Sequence, residues 1–123
     1  MTLTKLTKTA VAALEDIKGR DIVSLDVRKL TALFDKVVIA TADNNRQAAA
    51  MARNLQEKVK AAGGRVHGVE GEQGGEWVLV DLGDVIVHIM QPAVRQHYNL
   101  EELWTPPKPA RKRAAKSVTT AET

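Results

Sequence analysis

The stretch from Trp77 to Met90, WVLVDLGDVIVHIM, decides how this chain folds. Two apolar runs rich in β-branched residues flank Leu82-Gly83, and this pattern predicts a β-hairpin. We pair Asp81 with Asp84 across the turn. This register assigns each side chain to one of the two faces of the hairpin, because neighbouring residues of a strand point to opposite faces. One face then carries only β-branched residues: Val78, Val80, Val85, Val87 and Ile89. The other face carries a mixed set: Trp77, Leu79, Asp81, Asp84, Ile86, His88 and Met90.

Apolar spacing outward from the hairpin predicts the remaining elements. A helix over about residues 4–18 ends where Gly19 stands as a C′ glycine, and a longer helix capped by Asp43 or Asn44 ends at Gly63-Gly64. Three further strands are predicted over residues 21–27, 36–41 and 66–69, the second of them central because it is continuously apolar. We therefore expect an α+β fold with a mixed β-sheet of about five strands flanked by helices.

The chain divides into one domain over residues 1–104 and a basic, Pro-containing tail over residues 105–123, which we expect to be disordered. It contains no cysteine, which excludes disulfides and Cys-based metal centres. The first residues alternate Thr and Lys without an apolar core, so they do not form a secretory signal. No apolar run is long enough to cross a bilayer, and we expect a cytoplasmic protein.

The charges of the chain are polarised along its length. The net charge of +3 suggests a nucleic-acid partner, but the tail alone carries five basic residues and one acid, or +4. Residues 66–104 carry one base and seven acids, or −6. An acidic segment of this kind favours a basic protein partner. The basic tail predicts a weak, non-specific contact with RNA, and a solubilising extension is an equal alternative.

The mixed face of the hairpin is the candidate functional surface. The two predicted helices and a short one predicted after Pro92 are too few to cover both faces of the sheet. Two aspartates and a histidine are also costly to bury without partners. We therefore expect this face to be exposed and to bind a partner, with Trp77 as an anchor residue. The alternative is that it packs against another layer of the fold.

Catalytic chemistry finds little support in the sequence. Asp81, Asp84 and His88 form a weak metal signature because no second histidine accompanies them. No phosphate-binding glycine motif occurs, and neither serine lies in a nucleophile context. The junction ATADNNRQ could hold an anion at a helix N-terminus, but simple capping explains it better. We expect no catalytic residues, no metal and no cofactor.

Several ordered motifs resemble the ribosomal silencing factor (RsfS or Iojap) family. They are LDV at 25–27, VVIAT at 37–41, Arg46-Gln47, GVEGE at 68–72, WVLVDLGDVIVH at 77–88 and R-x-x-Y-x-L-E-x-L-W at 95–104. The resemblance implies a sheet shaped like that of nucleotidyltransferases but without their catalytic residues. It also implies binding to the large ribosomal subunit through protein uL-fourteen, which blocks the small subunit from joining and lowers translation under nutrient limitation. Organellar relatives imply an alternative role in large-subunit assembly.

The chain departs from the family pattern before its long helix. The usual T-G-x-S-x-R-Q is here Thr41-Ala42-Asp43-Asn44-Asn45-Arg46-Gln47, so the Gly-Ser element is missing. Asn still caps a helix well, and the fold should survive. The loss argues against the remaining alternative, a catalytically degenerate enzyme of the nucleotidyltransferase fold.

The family does not say which side chains contact the partner. We predict a binding set made of Glu70, Glu72, Trp77, Asp81, Asp84 and His88, with Arg95 and Tyr98 as supports from the adjacent helix. A homodimer of the free chain would compete for the same face, and the sequence leaves that alternative open.

Overall fold

The computed structural model describes residues 1–103, and the predicted tail lies outside them. The elements follow one another as α1 (Leu3–Asp16), β1 (Arg20–Asp26), β2 (Lys36–Thr41), α2 (Asn45–Ala61), β3 (Gly68–Glu70), β4 (Trp77–Asp81), β5 (Val85–Met90), α3 (Pro92–Tyr98) and α4 (Leu100–Leu103). The five strands form one sheet in the order β1-β2-β5-β4-β3. The pair β2–β5 is parallel and the other pairs are antiparallel, which confirms the predicted mixed sheet.

Helix α1 is capped at its N-terminus by a side chain and at its C-terminus by backbone hydrogen bonds. The Thr2 hydroxyl accepts from the Lys5 backbone N–H. At the other end Lys18 takes the left-handed conformation with φ of 65°, and Gly19 N–H donates to the Leu14 carbonyl. This is a Schellman motif in which lysine, not Gly19, stands at C′, which corrects the prediction. Glycine follows because a Cβ there would lie 2.7 Å from Met51 Cε.

Helix α2 is capped by Asn44, one of the two predicted caps. Its Oδ1 accepts from the Gln47 backbone N–H at 2.8 Å. The Gln47 side chain in turn donates to the carbonyls of Ile17 and Lys18. The start of α2 is thereby joined to the end of α1, and the two helices run antiparallel along one face of the sheet. None of the helices within residues 1–103 is long and apolar enough to cross a membrane.

The hairpin pairs in a different register from the predicted one. Asp81 lies opposite Ile86 rather than Asp84, a shift of two residues. The connection is longer because the Asp81 carboxylate accepts from Gly83 N–H and Leu82 N–H donates to the Val85 carbonyl. Since a shift of two preserves parity, the sorting of side chains between the two faces remains correct, except that Asp84 lies in the turn.

Two apolar clusters pack on the two faces of the sheet. The larger one lies under α1 and α2 and includes the predicted β-branched residues Val78, Val80, Val85, Val87 and Ile89. The smaller one lies on the opposite face and joins Val27, Val37, Ile39 and Met90, with Phe34, Trp77, Val94 and Leu100 packed against it. The second face is therefore partly covered by α3, α4 and the β1–β2 loop. This corrects the expectation of an exposed mixed face.

Candidate functional site

One row of side chains crosses all five strands on the sheet surface opposite α1 and α2. Strand pairing aligns Val23, Ile39, His88, Leu79 and Glu70 in that order. A neighbouring row aligns Val37, Ile86 and Asp81. We call the part of this surface formed by β3, β4 and β5 the open sheet face: Glu70, Trp77, Leu79, Asp81, Ile86 and His88, with Tyr98 from α3. Trp77, Asp81 and His88 thus share one surface, as the predicted parity required, and strand pairing adds Glu70 to it.

Trp77 is fixed in place by two neighbours on this face. Its indole Nε1 donates to His88 Nδ1 at 2.9 Å. The Tyr98 ring also contacts it, with centroids 4.8 Å apart, and Tyr98 meets the His97 ring edge-on. Trp77 is half-buried, whereas Tyr98 is 55% exposed. The pair therefore presents aromatic surface to solvent in one held orientation, which lowers the entropy cost of binding.

His88 is buried rather than exposed, which corrects the expectation for this residue. Only 8% of it is accessible, and burial lowers its pKa to about 4. Because Nδ1 accepts from the indole, the proton of the neutral ring lies on Nε2. His88 therefore supports Trp77 from beneath, and it offers a partner little surface of its own.

The depressed pKa of His88 predicts a loss of stability in acid. The unfolded chain takes up a proton near pH 6.5 while the folded chain resists it down to about pH 4, so stability falls as the pH drops through this window. Between pH 7 and pH 5 we expect the free energy of unfolding to fall by about 2 kcal/mol from this group. Urea unfolding at the two pH values measures it. His88→Gln should flatten the difference, and an equal loss in that variant would contradict the assignment to His88.

Asp81 and Asp84 lie in different settings at the hairpin tip. The Asp81 carboxylate accepts from Gly83 N–H at 2.8 Å and so stabilises the turn. The Asp84 side chain is exposed, while its carbonyl accepts from Asp35 and Lys36 at the start of β2. Within residues 1–103 no three His, Cys, Asp or Glu side chains come together as a metal site. The tip presents negative charge to solvent.

Glu70 and Glu72 lie at the outer edge of the sheet. Both are exposed, Glu70 at the end of β3 and Glu72 in the turn that leads to β4. Gly71 between them has φ of +84°, and its Cα faces the Trp77 carbonyl so closely that a Cβ would lie 2.1 Å from the oxygen. The tight passage of the chain at Gly71 keeps the backbone that carries Glu70 and Glu72 beside the first residue of β4.

Arg95 and Tyr98 connect α3 to the sheet. The Arg95 guanidinium donates to the Thr41 hydroxyl at 2.7 Å, and Thr41 is buried at the end of β2. Tyr98 packs on Trp77 from the last turn of the same helix. Both residues therefore lie where a supporting role was predicted, although their contact with a partner stays a prediction.

The predicted binding set leaves out apolar residues that the structure places on the same side. Leu79 and Ile86 lie in the two rows described above. In the β1–β2 loop Phe34 packs in the second cluster, and its neighbour Leu33 is 83% exposed. Parity had already put Leu79 and Ile86 on this face. For Leu33 the sequence shows only an apolar residue in a loop. Without the fold, that does not indicate which side of the sheet the residue lies on.

Comparison with known proteins assigns the chain to a family. The family model described as "Ribosomal silencing factor during starvation" matches residues 1–123. The chain belongs to the ribosomal silencing factor family. This confirms the resemblance drawn from the motifs.

Relatives and a solved structure agree with this assignment. A ribosomal silencing factor from Chromobacterium violaceum is 53% identical over 89% of this chain and 90% of its own length. One from Haemophilus influenzae is 43% identical over 80% of this chain and 97% of its own. A crystal structure of a Chromobacterium violaceum protein matches with a TM-score of 0.84 at 51% identity, covering 94% of this chain and 97% of that one. Its similarity confirms the α+β fold.

Proposed function

We propose that this chain represses translation by binding the large ribosomal subunit through its open sheet face. In this proposal the face contacts protein uL-fourteen, and the bound chain sterically blocks the small subunit from joining. The observation that carries it is the held Trp77–Tyr98 pair, which sits on a half-covered sheet beside exposed carboxylates. Aromatic anchors in such settings account for much of the affinity of protein interfaces.

The charge around this face supports a basic protein as the partner. Residues 66–104 carry −6, with Glu70 and Glu72 exposed at the outer edge of the sheet and Asp84 exposed at the hairpin tip. Phosphate groups would be repelled by these carboxylates, whereas lysines and arginines of a ribosomal protein would be attracted. Because such complementarity mainly raises the association rate, we expect binding at the face to weaken with salt.

The names of the relatives support a regulatory role rather than catalysis. They describe silencing factors and, for a mouse relative 31% identical over 77% of this chain and 43% of its own length, mitochondrial assembly of the large subunit. The second candidate function is therefore assembly of the large subunit through the same face.

A catalytically degenerate enzyme is a third candidate, and a thermal shift on adding nucleotide and Mg²⁺ together would support it. Action on bacterial ribosomes would place the chain in the cytoplasm.

Sucrose-gradient sedimentation with separated subunits tests the proposal. The chain should migrate with the large subunit alone, and subunits mixed in its presence should fail to form the joined particle. Asp84→Arg changes an exposed side chain that makes no hydrogen bond within residues 1–103. It should reduce co-sedimentation about tenfold because it reverses a charge facing the basic partner. Binding without a block of joining would favour the assembly role instead.

Glu15→Arg is the matched control for this variant. Glu15 is also exposed, but it lies on α1, which packs on the opposite face of the sheet. The two variants change the net charge by the same amount, so a purely non-specific charge effect would weaken both. Equal binding of Asp84→Arg and the unmodified chain would contradict the proposed face. If the free chain dimerises through this face, Asp84→Arg should also shift its sedimentation equilibrium.

A further inference from the structure

The helix layer carries exposed basic groups at one end, where the start of α1 lies next to the end of α2. We call this end of the helix layer the basic end: Lys5 and Lys8 of α1, Lys58 and Lys60 of α2, and Arg65 beyond α2. The antiparallel packing of the helices brings the start of α1 to the end of α2. Met1 shows this directly, because a Cβ added at Gly64 would lie 2.8 Å from its Sδ.

The basic end is exposed and lacks neutralising partners in the fold. All five residues are solvent-exposed, as is Met1, which lies next to Gly64. None of the ion pairs within residues 1–103 reaches these five residues. The acids of α1, Glu15 and Asp16, lie at its other end, which leaves Glu57 as the nearby acid on α2. The cluster therefore presents a net positive field to solvent.

Helix stability does not explain the charges of α1. Its first turn contains Lys5 and no acid, and its last two residues are Glu15 and Asp16 with no base. This arrangement opposes the helix macrodipole, at a cost of about 0.3–1 kcal/mol for each exposed charge at low ionic strength. Lys5 and Lys8 also repel each other at i,i+3 spacing. Charges that work against local stability are characteristic of functional surfaces.

We propose that the basic end is a second interaction surface, which binds the phosphate backbone of RNA. Lysines dominate it, and lysine ammonium groups contact phosphates as point charges without reading bases. Its outward positions between the charges are small or polar, among them Thr4, Ala12 and Ala61, so it lacks the apolar stripe that a membrane-surface helix needs. It also lacks the buried aromatic anchors typical of protein interfaces.

This surface is independent of the proposed docking face. Helices α1 and α2 cover the sheet from the side opposite Trp77 and Leu79. RNA bound at the basic end would therefore leave the open sheet face free, and both partners could be held together. The inference concerns residues 5–65 and does not depend on the basic tail.

Fluorescence anisotropy with a fluorescein-labelled RNA hairpin tests the proposal on the full chain at several salt concentrations. The triple variant Lys5→Glu, Lys8→Glu and Lys60→Glu should weaken binding by at least about tenfold at low salt. The plot of log K against log salt should also become shallower, by about 0.7–0.9 for each phosphate group that is no longer neutralised. The matched control reverses three exposed bases elsewhere, Lys18, Lys29 and Arg46, and should change binding by less than about threefold.

A third variant separates the basic end from the tail. It replaces Lys108, Arg111, Lys112, Arg113 and Lys116 with glutamine, and binding should persist at a level well above that of the triple variant. Equal weakening by the triple variant and its control would overturn the proposal, as would loss of binding in the tail variant alone or no binding of the hairpin at low salt. Circular dichroism confirms folding of each variant. Large-subunit sedimentation of the same proteins tests the docking face separately, so either proposal can fail without the other.

Discussion

Trp77→Ala should weaken binding to the large ribosomal subunit by about 3 kcal/mol, or roughly a hundredfold. The indole is held by the His88 acceptor and the Tyr98 ring, so its ordering costs little entropy when a partner covers it. Alanine removes the anchor and also releases Tyr98 from its packing partner. Because the two effects act on one part of the surface, the measured change belongs to the aromatic pair. Co-sedimentation over a range of subunit concentrations measures the change in Kd.

Trp77→Phe distinguishes an effect on binding from an effect on folding. Phenylalanine keeps an aromatic ring beside Tyr98 but lacks the N–H that donates to His88. We expect an intermediate reduction of binding, because the ring remains but is no longer oriented. Thermal unfolding of both variants shows whether each is folded at the temperature of the assay. Unchanged co-sedimentation of a folded Trp77→Ala chain would remove Trp77 from the binding set.

Gly71→Ala should destabilise the fold by about 3 kcal/mol or more. The added Cβ would lie 2.1 Å from the Trp77 carbonyl oxygen, which is a backbone atom and cannot rotate away. The φ of +84° adds strain for any residue with a side chain. The link between β3 and β4 would therefore have to move, and Trp77 with it. Urea unfolding followed by circular dichroism measures the loss of stability.

Gly74→Ala is the matched control in the same turn. The nearest atom to a Cβ added at this glycine would be the Gly71 carbonyl oxygen at 4.0 Å, an ordinary separation. Its φ lies outside the left-handed region, so alanine should change the free energy of unfolding by less than about 0.5 kcal/mol. A similar destabilisation in both variants would show that the turn tolerates no side chain at all, and the role given to the close approach of Gly71 and Trp77 would be wrong.

The hairpin shows how much local sequence could predict. Parity placed Trp77, Leu79, Asp81 and His88 on one surface because alternation along a strand needs no tertiary information. The register of β4 against β5 depended on the turn. In the turn the Asp81 carboxylate accepts from Gly83 N–H, and the connection is longer than predicted. The prediction was wrong by two residues and kept its parity. A shift of one would have exchanged the two faces and missed the candidate site.

The burial of His88 could not be predicted from the same pattern. Trp77 contacts the His88 ring, and segments distant in sequence pack on the same side of the sheet through Phe34, Val94 and Leu100. Counting helices suggested an uncovered face, but a loop and two short helices cover part of it.

The cap of α2 could likewise be predicted only in part from local sequence. Local rules narrowed it to Asp43 or Asn44, and geometry selects Asn44. Asp43 instead pairs with Arg20, a contact across 23 residues that no local pattern indicates. Sequence alone therefore locates the helix start without deciding which of the two side chains caps it.

The parallel pairing of β2 with β5 has a consequence for how the chain reaches its native state. Lys36 lies opposite Val85, so the centre of the sheet joins segments separated by α2, β3 and β4. Closing so long a loop costs entropy before the contacts compensate for it, which slows folding. During synthesis β2 must remain unpaired on one edge until β5 has been made. The chain therefore completes its core late, after nearly the whole domain has left the ribosome that made it.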